Sequence, residues 1–246
     1  MKANPPSRPA PSPQRRGHAG EVRIIGGLWK RSKLSVPDLP GLRPTPDRVR
    51  ETVFNWLGQT LAGRRVLDLY AGSGALGLEA ASRGAASVLL VEQHPRCVAA
   101  IDAAVQRLSR RRRAAPSFLD PHGGQVGEPT LGALKTGQVQ VRAADALATA
   151  HSLARLGERF DVVFIDPPYA GGQQLAALRA AAPLLAAGGV VYVETDTPTL
   201  FDEIGSHGWT VWRRSRAGQV HFALLQRSNS AAPGTAPEAE SGTKTS

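Results

Sequence analysis

The sequence predicts an α/β protein built on a doubly wound, Rossmann-like sheet of seven mostly parallel strands. Two features of the 246 residues predict this class. Short apolar runs alternate along the chain with longer Ala- and Leu-rich stretches of helical character. The runs in the middle of the chain are apolar on both faces, as parallel strands are when helices cover both sides of their sheet.

Seven segments carry the strand pattern. They are Arg65–Tyr70, Ser87–Glu92, Val139–Arg142, Phe160–Asp166, Gly189–Thr195, Trp209–Arg214 and Gln219–Gln226. The first four are predicted to be buried parallel strands, because helical stretches separate them and parallel pairing needs such crossover connections.

A short β-hairpin extension is predicted at residues 22–40, before the first of these strands. Its two strands are expected at Val22–Gly27 and Leu34–Pro37. Thr45 is then predicted to cap a helix that has Pro46 at its first position. The apolar face of that helix is expected to hold Val49, Val53, Trp56 and Leu57.

Three segments fall outside the α/β pattern and bound the predicted domain at residues 21–227. Residues 1–20 hold five prolines and four basic residues, which predicts a disordered basic tail. Residues 228–246, rich in Ser, Ala, Pro, Gly and Glu, predict a second disordered tail. Residues 110–138 begin with four consecutive arginines and continue with scattered Gly and Pro, so we expect an inserted surface loop there.

The composition favours a polyanionic partner and a reducing compartment. Thirty Lys and Arg residues against twenty Asp and Glu give a net charge of +10, which favours RNA or DNA over an anionic membrane. Cys97 is the only cysteine, so an intramolecular disulfide is excluded. We expect a cytoplasmic protein without membrane contact, since no apolar run approaches the roughly 20 residues of a membrane span. The six histidines show no metal-ligand spacing, and no pattern demands a dimer, so we expect a metal-free monomer.

A glycine-rich turn follows the first strand of the predicted sheet. Gly72, Gly74 and Gly77 have the G-x-G-x-x-G spacing, and Glu92 ends the next strand twenty residues after Gly72. Such a turn lets the backbone approach a nucleotide cofactor closely, and the acid can bind the hydroxyls of its ribose. A tight strand-to-helix turn without a ligand is the structural alternative.

The cofactor that this turn favours is S-adenosylmethionine (SAM) rather than NAD. Asp68, directly before the turn, would attract the cationic amino-acid end of SAM and repel a pyrophosphate. Asp145 has two equally supported interpretations: an acceptor for the adenine amine, or the N-cap of the following helix. The predicted cofactor-binding residues are Asp68, Ala71, Gly72, Ser73, Gly74, Glu92 and Asp145.

A second motif, Asp166-Pro167-Pro168-Tyr169, ends the fourth predicted strand and should open into the same crevice. An exocyclic amine on a nucleic-acid base is a poor nucleophile, because its lone pair is delocalised into the ring. Asp166 and the Pro167 carbonyl could accept both amine hydrogens and direct the lone pair at a methyl group. The prolines stiffen the loop, and Tyr169 offers a face for stacking a flipped base. These four residues are the predicted catalytic residues; a simple turn with a packed tyrosine is the alternative.

The whole pattern resembles a known family. The segments that carry the resemblance are Val22–Gly27, Gly41–Trp56, Leu67–Ala80, Asp166–Tyr169 and Ala217–Val220. Together they are similar to the bacterial small-subunit (16S) ribosomal RNA guanine-N2 methyltransferases of the RsmD type, over nearly all of residues 22–227. The resemblance implies the SAM-dependent methyltransferase fold and methylation of one loop guanine, presented by an assembled or nearly assembled small subunit. The long 110–138 loop and both tails depart from the family pattern.

The basic residues near the N-terminus are the candidate RNA contacts. Residues 15–50 hold nine basic and three acidic side chains. The predicted RNA-binding residues are Lys30, Arg31, Lys33, Arg43, Arg48 and Arg50. Two other functions stay open: a DNA amino-methyltransferase acting on adenine N6 or cytosine N4, and a non-enzymatic RNA-binding or ribosome-assembly protein.

Overall fold

The computed structural model describes residues 20–113, 138–168 and 172–228, with only the backbone for residues 111–113. Both predicted tails, apart from their innermost residues, and most of the predicted 110–138 loop lie outside these ranges. In chain order the elements are β1 (Gly20–Arg23), β2 (Lys33–Val36), α1 (Asp47–Leu57), β3 (Arg65–Asp68), α2 (Ala75–Ser82), β4 (Ser87–Glu92), α3 (Pro95–Arg113), β5 (Gln138–Ala143), α4 (Ala146–Arg155), β6 (Phe160–Ile165), α5 (Gln174–Ala181), β7 (Leu185–Thr195), α6 (Leu200–Glu203), β8 (Trp209–Ala217) and β9 (Val220–Arg227).

The predicted fold class is confirmed. Seven strands form one sheet in the order β5-β4-β3-β6-β7-β9-β8. The first five of these are mutually parallel, and β9 pairs antiparallel with both β7 and β8. The strand order reverses between β3 and β6, and in open α/β sheets such a reversal opens a crevice at the carboxyl ends of the strands. One hydrophobic cluster fills each face of the sheet.

The prediction that the third strand is buried is wrong. The segment Val139–Arg142 does form a parallel strand within β5, but all six β5 residues are exposed or half-buried. The reason is its place at the edge of the sheet, where it pairs with β4 alone among the described strands. Val139 and Val141 pack against the core from the edge.

The predicted helix cap at Thr45 is also wrong. Helix α1 begins at Asp47 after Pro46, and no side chain caps it. The Pro46 carbonyl accepts from the N–H groups of Val49 and Arg50, and the Thr45 hydroxyl instead donates a hydrogen bond to Asp166.

The predicted start of the inserted loop at Arg110 is also wrong. Helix α3 continues through Arg113, in keeping with the high helix propensity of arginine.

The N-terminal extension is folded down onto α2. Strands β1 and β2 pair antiparallel. The apolar residues of the extension that enter the core are Val22, Ile24, Trp29, Leu34 and Val36. The N–H groups of Ile25 and Gly26 each donate to the fully buried Glu79 carboxylate at 2.7 Å. Gly27 has φ +73°, and a Cβ there would lie 1.9 Å from the Ser82 carbonyl oxygen, so only glycine fits this contact. No helix within the described ranges is long and apolar enough to cross a membrane.

Candidate active site

The crevice at the carboxyl ends of β3, β4 and β6 gathers the acidic residues that the sequence singled out. Asp68 ends β3, Glu92 ends β4, and Asp166 directly follows β6. Because β3 pairs with both β4 and β6, these three carboxylates lie along one edge of adjacent strands. Tyr169, the fourth residue of the predicted catalytic motif, lies outside the described residues.

The glycine turn adopts the backbone conformation that its sequence predicts. Gly72 has φ +54° and Gly74 has φ +76°, both in the left-handed region that glycine adopts without strain. The turn is closed by a 2.6 Å hydrogen bond from the Gly74 N–H to the Ala71 carbonyl. Gly77 serves packing instead: a Cβ there would lie 2.7 Å from Leu90 Cδ2, so this glycine lets α2 approach β4. Ala71 and Ser73, the other predicted residues of the turn, are both buried.

Asp68 has one oxygen bound to the protein and one that meets no donor. The Gly77 N–H donates to Asp68 Oδ2 at 3.0 Å. Oδ1 is buried and meets no hydrogen-bonding partner within the described part of the chain. The pKa of Asp68 is raised to about 7, mainly by burial; the N–H groups of Gly77 and Tyr70 oppose this rise, and the nearby Glu92 charge adds to it. A buried carboxylate oxygen without a donor fits a cationic ligand.

Glu92 and Asp145 are oriented by backbone donors. Glu92 accepts from the Gly72 N–H at 2.8 Å and from the His94 N–H at 2.7 Å, one on each oxygen. Asp145 caps α4, accepting from the Ala148 N–H at 2.8 Å. The capping interpretation is therefore observed for Asp145. Each carboxylate oxygen can accept more than one hydrogen bond, so a cofactor contact by either residue stays a prediction.

Asp166 is half-buried and has acidic neighbours. Its Oδ2 accepts a 3.3 Å hydrogen bond from the Thr45 hydroxyl, whose residue is buried. Burial raises the pKa of Asp166 well above its ordinary value; the charges of Glu194 and Asp68 raise it further, and the bond from Thr45 lowers it. Pro167 is buried and Pro168 is exposed, so the motif turns outward directly after the carboxylate.

Several residues of the crevice were missed by sequence reasoning. Glu194, near the end of β7, is buried and accepts a 2.7 Å hydrogen bond from the Tyr192 hydroxyl. An acid at the end of an otherwise apolar strand is a signal that could have identified it. Tyr70 has a hydroxyl oxygen that is buried without a partner among the described residues. Burial raises the pKa of Tyr70 to about 12, and the Asp145 charge contributes to that rise.

The segment that precedes α1 covers both halves of the crevice. A Cβ added at Gly72 would lie 3.1 Å from Leu42 Cδ1, which places Leu42 against the glycine turn. Three residues later, Thr45 contacts Asp166. The stretch from Leu42 to Thr45 therefore links the predicted cofactor turn with the predicted catalytic loop.

The assignment of Arg50 to RNA binding is wrong. Its side chain is fully buried and donates to the Thr45 carbonyl at 3.2 Å, the Arg23 carbonyl at 2.8 Å and the Asp47 carboxylate at 2.6 Å. It also pairs with Glu79 at 3.4 Å. The Arg50 guanidinium therefore makes its contacts inside the protein, where it links the start of α1 to β1.

The other five candidate RNA-binding residues lie on the surface. The exposed residues are Lys30, Arg31, Lys33, Arg43 and Arg48. Lys33 forms a 2.8 Å ion pair with Glu21 across the hairpin, which reduces the net charge that it presents to a ligand. RNA contact by these five residues remains a prediction.

The raised pKa of Asp68 predicts a pH-dependent cost to stability. A carboxyl group whose pKa is raised on folding stabilises the folded state below its unfolded pKa, and that contribution is lost as pH rises through the folded pKa. With values of 3.8 unfolded and about 7 folded, the loss occurs between about pH 4 and pH 7. Asp68→Asn, without added ligand, should therefore gain about 2.5 kcal/mol relative to wild type between pH 5 and pH 8, at roughly 1.4 kcal/mol per pKa unit.

The measurement is urea unfolding of both proteins at the two pH values. The asparagine side chain of the variant keeps an oxygen that can accept from the Gly77 N–H, so the comparison isolates the charge. A free-energy difference between variant and wild type that is equal at pH 5 and pH 8 would show that Asp68 ionises normally.

Comparison with known proteins gives a family for this chain. The family model described as conserved hypothetical protein 95 matches residues 22–120 and 125–226. Ribosomal RNA small subunit methyltransferase D of Escherichia coli (strain K12) is 38% identical over 212 residues, covering 85% of this chain and 91% of that protein. The protein of the same name from Haemophilus influenzae is 34% identical over 211 residues, covering 84% and 94%.

A solved structure has the same architecture. The putative methyltransferase yhhF from Escherichia coli superposes with a TM-score of 0.61 at 33% identity, covering 85% of this chain and 98% of that one. The predicted family resemblance is thus confirmed by both sequence and structure. The chain belongs to the family described as conserved hypothetical protein 95 and is a relative of the ribosomal RNA small subunit methyltransferases D of these two bacteria.

Proposed function

We propose that this protein transfers a methyl group from SAM to the exocyclic N2 amine of one guanine in small-subunit (16S) ribosomal RNA. The observation that carries the proposal is the placement of Asp166. Its carboxylate follows β6, accepts from Thr45, and shares a crevice with the glycine turn and Asp68. Methyl transfer to an amine needs this pairing of a cofactor site with an acceptor for amine hydrogens.

The charge of the crevice supports a cationic cofactor. In a protein of net charge +10, this crevice concentrates Asp68, Asp166 and Glu194. Burial, followed by the charges of Glu194 and Asp68, raises the pKa of Asp166. SAM carries positive charge on its sulfonium and its amino group, and when bound it supplies an electrophilic methyl group. Asp68 Oδ1 would bind the amino group, and Glu92, already oriented by two backbone N–H groups, would accept from the ribose hydroxyls. Asp145 and the Tyr70 hydroxyl would contact the adenine.

The chain's own residues then activate the amine. Asp166 and the Pro167 carbonyl accept its two hydrogens, which localises the lone pair on nitrogen and aims it at the methyl carbon. The lone pair would form the new N–C bond while the methyl–sulfur bond breaks and its electron pair stays on sulfur, so positive charge would develop on the nitrogen beside the Asp166 carboxylate. A preorganised acceptor at the site of developing charge lowers the barrier. The raised pKa of Asp166 allows it to hold the departing proton before solvent takes it.

The substrate class rests on the relatives and on surface charge. Both curated relatives are named for the small subunit's ribosomal RNA. The exposed Lys30, Arg31, Arg43 and Arg48 supply phosphate contacts of the kind that position a protein on RNA. We infer a target guanine presented by an assembled or nearly assembled subunit, with the protein acting as a monomer in the cytoplasm.

The test is transfer of labelled methyl from SAM to small subunits that lack the modification, beside naked 16S ribosomal RNA and duplex DNA. We expect label in the subunits, recovered as N2-methylguanine, and none with Asp166→Ala. Label in DNA alone, as N6-methyladenine or N4-methylcytosine, would show that the substrate is DNA and not RNA, while the proposed methylation of an exocyclic amine would stand. No label in any pool, from a protein that still binds RNA, would favour a ribosome-assembly role instead.

A further inference from the structure

The outermost strand of the sheet, β8, ends at the same edge as the catalytic loop. Ile165 of β6 is opposite Val193 of β7. One residue further along, Glu194 is opposite Phe222 of β9, which is itself opposite Ser215 of β8. Ser215 is therefore level with Asp166, three interstrand spacings away, or about 14 Å. The last residues of β8 therefore lie at the same edge of the sheet as the crevice.

A β-bulge in this strand exposes an aromatic ring. Val211 is opposite Leu225 while Arg213 is opposite Leu224, so Trp212 is an extra residue without a partner on β9. Bulges of this kind re-aim a side chain next to functional sites. Trp212 is 44% exposed, and within the described ranges it is the only aromatic among the exposed large apolar side chains. The ring therefore presents an aromatic face to solvent on which a nucleic-acid base can stack.

Two exposed arginines of β8 are available for a ligand: Arg213 next to Trp212, and Arg216, four residues after Trp212 along the strand. The Arg213 guanidinium lies 5.6 Å from the centre of the Trp212 ring. Neither Arg213 nor Arg216 forms an ion pair with a carboxylate in the described part of the chain. Arg214 differs, because it stacks on Phe201 and lies 3.7 Å from Asp202. Of the three β8 arginines, Arg214 therefore contacts other residues of the fold, whereas Arg213 and Arg216 face solvent.

The charge of the β8–β9 hairpin has one sign. Residues 209–228 contain four arginines and one histidine, and no aspartate or glutamate. An exposed ring next to unpaired guanidinium groups has the chemistry of a single-stranded RNA site, in which bases stack on aromatic faces and cations neutralise the phosphates.

We propose that Trp212, Arg213 and Arg216 form an RNA-docking surface along this edge strand. A single-stranded nucleotide flanking the target stacks on Trp212, Arg213 binds the phosphate beside it, and Arg216, on the other face of the strand and nearer the crevice, binds a phosphate closer to the target. The proposal rests on the proposed function, since it requires RNA in the crevice. It adds a second contact region on the opposite side of the crevice from the glycine turn and β4. Ser215, level with Asp166, lies about 14 Å from it, and Trp212 lies three residues further from that edge of the sheet, about 10 Å along the strand. A short single strand of RNA would therefore span both places.

The experiment measures binding of a fluorescent single-stranded oligoribonucleotide to the full chain over a range of salt concentrations. Arg213→Gln/Arg216→Gln should weaken binding and lower the salt slope by about 1.4, because each phosphate contact on a single strand contributes about 0.7. Trp212→Ala should weaken binding about tenfold with the slope unchanged, because stacking is not ionic. RNA should also shield wild-type tryptophan fluorescence from acrylamide, and Trp212→Ala should lose that protection. Each variant should bind SAM as wild type does.

Arg155→Gln/Arg159→Gln is the matched control. Arg155 ends α4 and Arg159 directly precedes β6, and both are exposed, so this control removes the same two charges from the opposite edge of the sheet. If the β8 double variant and this control have equal RNA affinity and equal salt slope, the proposal is overturned. Self-association of the variants with unchanged RNA affinity would also overturn it, since charged residues on an edge strand can serve to block sheet-to-sheet pairing. If wild type methylates subunits while the β8 variants bind RNA normally, only this inference fails; if wild type neither binds nor methylates RNA, the proposed function fails too.

Discussion

Replacing Asp166 with alanine should reduce methyl transfer by about 100-fold or more, which corresponds to roughly 3 kcal/mol of transition-state stabilisation. Alanine removes the acceptor that we place against the reacting amine and leaves the Thr45 hydroxyl without its partner. Single-turnover rates at saturating SAM would measure this effect. SAM affinity, determined separately by calorimetry, should change little because Asp68 and Glu92 remain.

Asp166→Asn separates two roles of this carboxylate. Asparagine keeps an acceptor oxygen but cannot take a proton, so its rate should fall between those of wild type and the alanine variant. Since the pKa of Asp166 is raised, the wild-type rate should drop as pH falls through that raised pKa, and the asparagine variant should lack this dependence. If Asp166→Ala transfers methyl at the wild-type rate, Asp166 has no role in the mechanism.

Replacing Glu79 with alanine should destabilise the protein by about 3–5 kcal/mol, the range for removing one partner of a buried ion pair. Glu79 is fully buried, pairs with Arg83 at 2.9 Å and with Arg50 at 3.4 Å, and accepts from the N–H groups of Ile25 and Gly26. Its loss removes the acceptor of two backbone N–H groups and a buried carboxylate partner of both Arg50 and Arg83.

Urea unfolding measures the change, and Glu51→Gln is the control. Glu51 is exposed on α1, so its substitution should alter the free energy of unfolding by no more than about 0.5 kcal/mol. Faster hydrogen exchange along β1 and β2 than in the central sheet of the Glu79 variant would show that the N-terminal extension detaches first. Equal stability of the two variants would mean that the Glu79 network contributes nothing to the fold.

Most of the architecture was accessible from local sequence patterns. Runs such as Phe160–Asp166 predict buried parallel strands, since their residues are apolar on both faces, and β6 confirms this. The same pattern misled at Val139–Arg142, because a short run does not reveal how many neighbours its strand will have. Strand β5 lies at the edge of the sheet, where burial comes only from one side.

By itself the sequence determined the fold class, the glycine turn and three of the acids at the strand ends, Asp68, Glu92 and Asp166. These depend on residues close together in the chain, as in the turn from Asp68 to Gly77. Only the tertiary structure decided what the polar side chains do. Arg48 is exposed and Arg50 fully buried two residues later, because Arg50 meets Glu79 and the Arg23 carbonyl, both more than twenty residues away. Thr45 likewise leaves its predicted cap for Asp166, 121 residues along the chain. A buried charge or hydroxyl must be paired, and the chain brings its partner from a distance that local patterns do not encode.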